Sequence, residues 1–338
     1  MARSTAAGAS GGCAMTAPVV DVHAHLWTHA YLDLLAESCV TGLDMYRALG
    51  ATDEPGDLAQ RFAQMGEAGI DLQILSATPL VPHLEDAAAA STAARHVNDE
   101  YARLVERHPD RFRAFLALPL PHISDALAVL DRLAEEAFVG VALTTDILGG
   151  ALTDPAFDPL FAALDARSAA VLIHPVGADA RSPLIAQRPM RWAVGAPIED
   201  TIAMADLLLA GHLARFPHLK VIGTHLGGAL PMLLPRMRAQ QPWEAPDAPE
   251  PPDVAARRAW FDTVTHVNPA ALRAAAEVLG ADRLVLGTDY PFQAAGELLA
   301  DVAQHSAVFT EAQARTVRAG NADELFDLRW TGGAGAGA

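Results

Sequence analysis

Eight short apolar runs, rich in β-branched residues and separated by stretches of helical periodicity, constrain this chain more than any other feature. They fall at 18–22, 70–75, 112–118, 138–143, 170–173, 219–223, 260–264 and 283–286. Helix-like segments at 58–68, 87–107, 123–136, 157–166, 201–215 and 269–279 lie between them, and a proline-rich loop spans 241–253. Strands that alternate with helices pair in parallel, because each helical crossover brings the chain back to the same end of the sheet. The simplest closed solution for eight such units is an α/β fold, a (β/α)8 TIM barrel with small loop insertions. A doubly wound open sheet is the alternative. It needs a glycine-rich phosphate loop after its first strand, and residues 21–27 contain no glycine. The 338 residues suit one barrel over 17–330, with tails of small and polar residues at 1–16 and 331–338.

Barrels of this kind do their chemistry at the C-terminal ends of the strands. The first run continues Asp21-Val22-His23-Ala24-His25, and residues two apart on a strand share a face. The fifth run ends on His174, the sixth on His225, the seventh passes Asp262 to His266, and the eighth ends on Asp289. Taken singly, each reads more simply as a polar residue capping a loop. Together at the same end of one barrel, His23, His25, His174 and Asp289 form a set of nitrogen and oxygen donors with room for water or substrate. That is the pattern of a catalytic zinc site, although iron, cobalt and manganese suit the same donors.

The single lysine of the chain, Lys220, opens the sixth run, and the fourth run has none. The carboxylated lysine that bridges two metals in binuclear barrel hydrolases therefore has no counterpart, and one divalent ion is expected. His225 is the candidate general acid–base, since imidazole titrates near neutrality. Gly227 and Gly228 after it allow a close approach of backbone and substrate. The same histidine also reads as a further ligand or a structural residue. His266 reads either as a partner for Asp289 or as an ordinary polar residue.

The formal net charge of −17 excludes a nucleic-acid or anionic-membrane surface, which would need lysine and arginine footprints. It does not exclude a small anionic substrate. Two cysteines make neither a disulfide framework nor a cysteine-based zinc site. No apolar run is long enough to span a bilayer, and the first residues lack a signal-peptide core. These features point to a cytoplasmic enzyme.

The motifs DVHAH, LIHP, THLGGALP, WFDTVTH and LGTDYPF, with AGNA near the end, resemble the amidohydrolase superfamily. The nearest group is that of 2-amino-3-carboxymuconate-6-semialdehyde decarboxylase, and the resemblance runs from about Val19 to Leu328. It implies zinc ligands at His23, His25, His174 and Asp289, a catalytic His225, and a carboxylate-binding arginine at Arg47. It also implies pocket walls at Trp192 and Phe292 and a homodimer or larger homo-oligomer. Two positions bear on the substrate. The decarboxylase draws a second arginine from a neighbouring subunit, but the corresponding stretch 240–248 has none. His23 stands where related hydroxybenzoate decarboxylases often carry glutamate.

The leading expectation is a metal-dependent, non-oxidative decarboxylase of a small unsaturated or aromatic carboxylic acid, with His225 and Asp289 handling the proton. A metal-dependent hydrolase of a lactone or amide, or a hydratase, would use the same donors. A catalytically silent binding barrel would be expected to have lost ligands, and no ligand position here is damaged.

Overall fold

In the computed structural model, which describes residues 18–293 and 296–328, each apolar run contributes a strand. These are β1 (Val20–His25), β2 (Leu72–Ser76), β3 (Phe112–Ala117), β4 (Phe138–Thr144), β5 (Ala170–His174), β6 (Lys220–Gly223), β7 (Trp260–Asp262) and β8 (Leu284–Val285). They neighbour one another in sequence order, every pair parallel. The last returns to the first: the Val22 amide donates to Leu286 O at 2.8 Å, and Ala24 bridges to Tyr290 in parallel. The result is the expected (β/α)8 barrel. A hairpin of Asp146–Ile147 and Gly150–Ala151 is a small insertion after β4. The tails at 1–16 and 331–338 lie outside the described residues.

Strands packed on both faces read as continuous apolar runs, which is why these were visible in the sequence. Val22, Ile74, Phe115, Leu172 and Val285 fill the barrel interior, and Ala322 and Leu325 of the helix Asn321–Phe326 pack onto the same cluster. Lys220 tethers that helix, with Nζ donating to the carbonyls of Glu324 and Leu325 at 3.2 and 2.7 Å. It therefore sits at the barrel floor, at the end of the strands opposite the histidines. A second, larger core lies between strands and helices.

Helices Ala87–Arg107 and Pro269–Leu279 match the expected bounds. The 201–215 segment instead divides into Ala196–Leu209 and His212–Arg215, because Gly211 takes a left-handed φ of 66° between them. The proline-rich loop starts later than expected. The helix Leu230–Glu244 carries Pro235 and Pro242 inside it, held to the barrel by buried Leu230 and Leu234. Tertiary packing outweighs the local penalty of the two prolines.

Candidate metal centre and active site

The site begins with an irregularity in β1. Its register against β2 runs Val20–Leu72 and Asp21–Gln73, then resumes at Ala24–Leu75, so β1 carries one extra residue between Asp21 and Ala24. A bulge of this kind re-aims side chains. Val20 and Val22 belong to the interior cluster below the bulge, and beyond it His23 and His25 converge on the barrel mouth. Both histidines lie inside the strand rather than after it.

Each of the three histidines is held by one ring nitrogen and presents the other. His23 Nδ1 lies 2.6 Å from Asp262 Oδ2. His25 Nδ1 lies 3.1 Å from Ser76 Oγ and 3.3 Å from Thr78 Oγ1. His174 Nδ1 donates to the Pro175 carbonyl at 2.8 Å. Outer partners of this sort fix the tautomer and orientation of metal-binding imidazoles. The inner nitrogens then meet: His23 Nε2 and His25 Nε2 are 3.1 Å apart, and Asp289 Oδ1 is 3.2 and 2.9 Å from them. His174 Nε2 is buried and has no hydrogen-bond partner among the described residues. One donor atom from each of the four residues lies within 4.8 Å of all the others.

Lone pairs brought together in this way repel unless a proton or a metal cation lies among them. The buried, unpartnered His174 nitrogen and the facing imidazoles therefore fit a divalent metal. Burial drives His174 well below its usual range and His25 down to about 4, so both are neutral and ready to bind a metal. Burial opposes charge on His23 too, but Asp262 and Asp289 outweigh it and raise His23 to about 9. The site thus favours positive charge at its centre. Burial by itself would raise Asp289, but His23, His225 and His25 hold it well below the carboxylate range and keep it ionised.

His225 stands beside this cluster. Its Nδ1 lies 2.9 Å from Asp200 Oδ2, and its Nε2 is 3.7 Å from Asp289 Oδ2. Its backbone amide donates to Asp262 Oδ1 at 2.8 Å. Burial disfavours its charge, but Asp200 and Asp289 together raise it well above its usual range. The turn that carries it is left-handed from His225 to Gly228, with φ of 51°, 59°, 71° and 65°. A Cβ on Gly228 would overlap the Pro197 carbonyl and Thr201 Oγ1, so only glycine closes this turn.

A cavity of about 740 Å³ opens over the cluster, lined by His174, His225, Asp289, Met45, Trp192 and Phe292 among others. Phe292 meets the His25 ring at 5.4 Å and Trp192 at 6.5 Å. The structure thus brings Trp192 and Phe292 to the cavity wall. It does not bring Arg47 there. That guanidinium pairs with Asp33 at 2.6 Å on the surface, and its neighbours Met45 and Tyr46 face inward instead. His266 lies exposed on the cavity rim, as an ordinary polar residue does; among the described residues Asp289 is met by His23 and His25, and Asp262 of the same motif holds His23.

Known proteins resemble this chain over most of its length. The family model described as amidohydrolase matches residues 20–328. The chain belongs to the amidohydrolase family. Among the relatives of this amidohydrolase is a 2-amino-3-carboxymuconate-6-semialdehyde decarboxylase of Dictyostelium discoideum, 30% identical over 79% of this chain and 76% of the relative. Another is a 6-methylsalicylic acid decarboxylase of Penicillium expansum, 29% identical over 80% of this chain and 84% of the relative. Among solved structures, a 5-carboxyvanillate decarboxylase from Sphingomonas paucimobilis superposes with a TM-score of 0.78 at 27% identity, covering 93% of this chain and all of that one.

Two carboxylates of this amidohydrolase site were not singled out from the sequence, Asp262 and Asp200. Asp262 sits in the WFDTVTH motif, where the terminal histidine drew attention instead. Asp200 lies on the helix Ala196–Leu209, far from any strand end in sequence, and only the fold carries it to His225. Its one signal was a charged residue in a mainly apolar helix, a signal shared by its buried neighbour Glu199.

Proposed function

We propose that this chain is a non-oxidative carboxy-lyase that uses one divalent metal, held by His23, His25, His174 and Asp289, to decarboxylate a small aromatic or unsaturated carboxylic acid. The observation that carries it is the pairing of this donor set with His225, held at the cavity wall by Asp200 at 2.9 Å. Support for carboxy-lyase chemistry comes from relatives that are named decarboxylases.

The metal, when bound, supplies a Lewis acid that steadies the substrate's negative charge. Three imidazoles and a carboxylate favour Zn2+, and the same donors accept manganese. Trp192 and Phe292 flank the ring of the substrate and limit water. His225, kept protonated by Asp200, gives the proton on Nε2 to the carbon that bears the carboxylate. The bond from that carbon to the carboxylate then breaks, its electron pair returns to the ring, and carbon dioxide leaves. A proton from solvent restores His225, so each turnover consumes one carboxylate anion and one proton and yields one decarboxylated product and one carbon dioxide. Asp289 Oδ2, 3.7 Å from His225 Nε2, adds its negative charge to that of Asp200 in keeping the ring protonated until transfer.

A cytoplasmic homo-oligomer is part of this reading. Exposed Ile202, Met232 and Trp243 support the oligomer, and among the described residues no helix is long and apolar enough to cross a membrane.

The test is a panel of hydroxybenzoates and carboxylated muconates incubated with zinc- or manganese-loaded protein. Carbon dioxide release equal to acid consumed is expected. A product heavier by one water, with no carbon dioxide, would replace this reading with a hydrolase or hydratase.

A further inference from the structure

A second lobe of about 660 Å³ adjoins the metal cavity, and Met45 and Trp192 line both. The segments after β1, β2, β4 and β5 form it, with Tyr46, His83, Thr144, Arg181 and Arg191 at its wall. It lies close to the metal centre, since Thr144 is the register partner of His174 across β4 and β5.

The polar groups of this lobe are not equivalent. Arg181 pairs with Asp146 at 2.6 Å, and Arg191 pairs with both oxygens of Asp179 at 3.2 and 3.3 Å. Both guanidinium charges are therefore matched within the protein, which argues against a further carboxylate or phosphate here. His83 is different. It is only 9% exposed, its Nδ1 is 3.1 Å from Thr144 Oγ1, and its buried Nε2 has no partner among the described residues.

The tautomer follows from the hydrogen-bond chain. Thr144 Oγ1 donates its only proton to the Asp146 carbonyl at 2.6 Å, so toward His83 it can only accept. His83 must then carry its proton on Nδ1 and keep a lone pair on Nε2, an atom buried in the wall of the lobe. Burial pushes His83 down to about 3, so the ring is neutral throughout the working pH range. A buried acceptor left without a donor is costly, and a ligand that donates a hydrogen bond removes that cost.

We propose that this lobe is a specificity subsite for a neutral hydrogen-bond donor, a hydroxyl or amino group carried by the substrate away from the carboxylate that is lost, with His83 Nε2 as its acceptor. The inference rests on the decarboxylase reading above and adds what the substrate must carry.

The test uses matched pairs of salicylate derivatives, hydroxyl against methyl at each remaining ring position, titrated calorimetrically into manganese-loaded protein. For one ring position the hydroxyl member should bind about ten- to a hundredfold tighter than the methyl member. His83→Leu should abolish that preference and His83→Gln, which keeps an acceptor, should retain most of it. Thr144→Val, which removes the group that fixes the His83 proton, should weaken it while leaving His83 in place, and so tests the subsite even where the leucine variant folds poorly. Equal binding within every pair, or a preference unchanged in the folded variants, overturns the subsite alone. Failure of the whole panel to bind overturns the aromatic-acid reading, and the subsite with it.

Discussion

His23 and Asp262 are joined by a 2.6 Å contact between Nδ1 and Oδ2, both residues fully buried. The other oxygen of Asp262 accepts from the His225 amide at 2.8 Å and the Val264 amide at 3.1 Å. One carboxylate thus orients a metal-site imidazole and anchors the turn that carries the proton donor. Asp262→Ala is expected to lower metal affinity about 10- to 100-fold. Turnover should also stay below wild type at saturating metal, since the His225 turn loses its anchor. Competition with a chelator measures the first and steady-state rates the second. Unchanged affinity would mean that His23 is oriented without Asp262.

The fold was legible in the sequence because parallel strands buried on both faces are written as continuous apolar runs. The metal site was legible because strand ends and catalytic residues coincide in a barrel. What escaped depends on contacts between distant segments. Asp200 meets His225 across 25 positions, and Asp262 meets His23 across 239. The β1 bulge was hidden for a different reason, since one extra residue leaves no mark in a six-residue strand. Arg47 shows the limit of carrying a role across a variable loop: the arginine is present, but its partner is Asp33.

That pairing separates two substrate-binding candidates. Arg47 and Asp33 form a largely solvent-exposed ion pair, and such pairs contribute little. Arg47→Ala should therefore change KM by no more than about twofold. Phe292 packs on His25, Trp27, Tyr46 and Trp192, so Phe292→Ala removes a wall of the cavity. It should raise KM by about tenfold, the equivalent of part of a buried aromatic side chain. A large KM effect at Arg47 with none at Phe292 would reverse the assignment.

His212 gives a stability prediction away from the site. Its ring lies 4.4 Å from Phe161 and 4.8 Å from Phe216, and neither ring nitrogen has a hydrogen-bond partner among the described residues. Burial, helped by Arg215, pushes it down from 6.5 to about 4. Below its ordinary value the unfolded chain binds a proton that the folded chain refuses, so stability falls as pH drops through this window. The slope is at most about 1.4 kcal/mol per pH unit for this group. His212→Phe removes the titration, so its denaturation midpoint should fall less than that of wild type between about pH 7 and about pH 5. Equal pH slopes in the two proteins would assign the acid sensitivity elsewhere.

The last prediction concerns the proton donor. Asp200 is buried, accepts from Thr224 Oγ1 at 3.1 Å, and holds His225 Nδ1 at 2.9 Å. Burial raises Asp200 itself to about 6, against the pull of the His225 charge. A general acid works only while protonated, so activity is lost as pH rises through the pKa of His225. Asp200 keeps that pKa high. Asp200→Asn preserves the shape of the contact but removes the charge, so the alkaline limb of the kcat profile should move to lower pH. His225→Ala should retain metal and lose turnover by about 10²- to 10⁴-fold. Profiles of kcat against pH, taken at saturating metal with metal content measured alongside, separate the two effects. An Asp200→Asn profile that coincides with wild type would show that the charge of His225 does not depend on this carboxylate, and full turnover in His225→Ala would remove the histidine from the proton path.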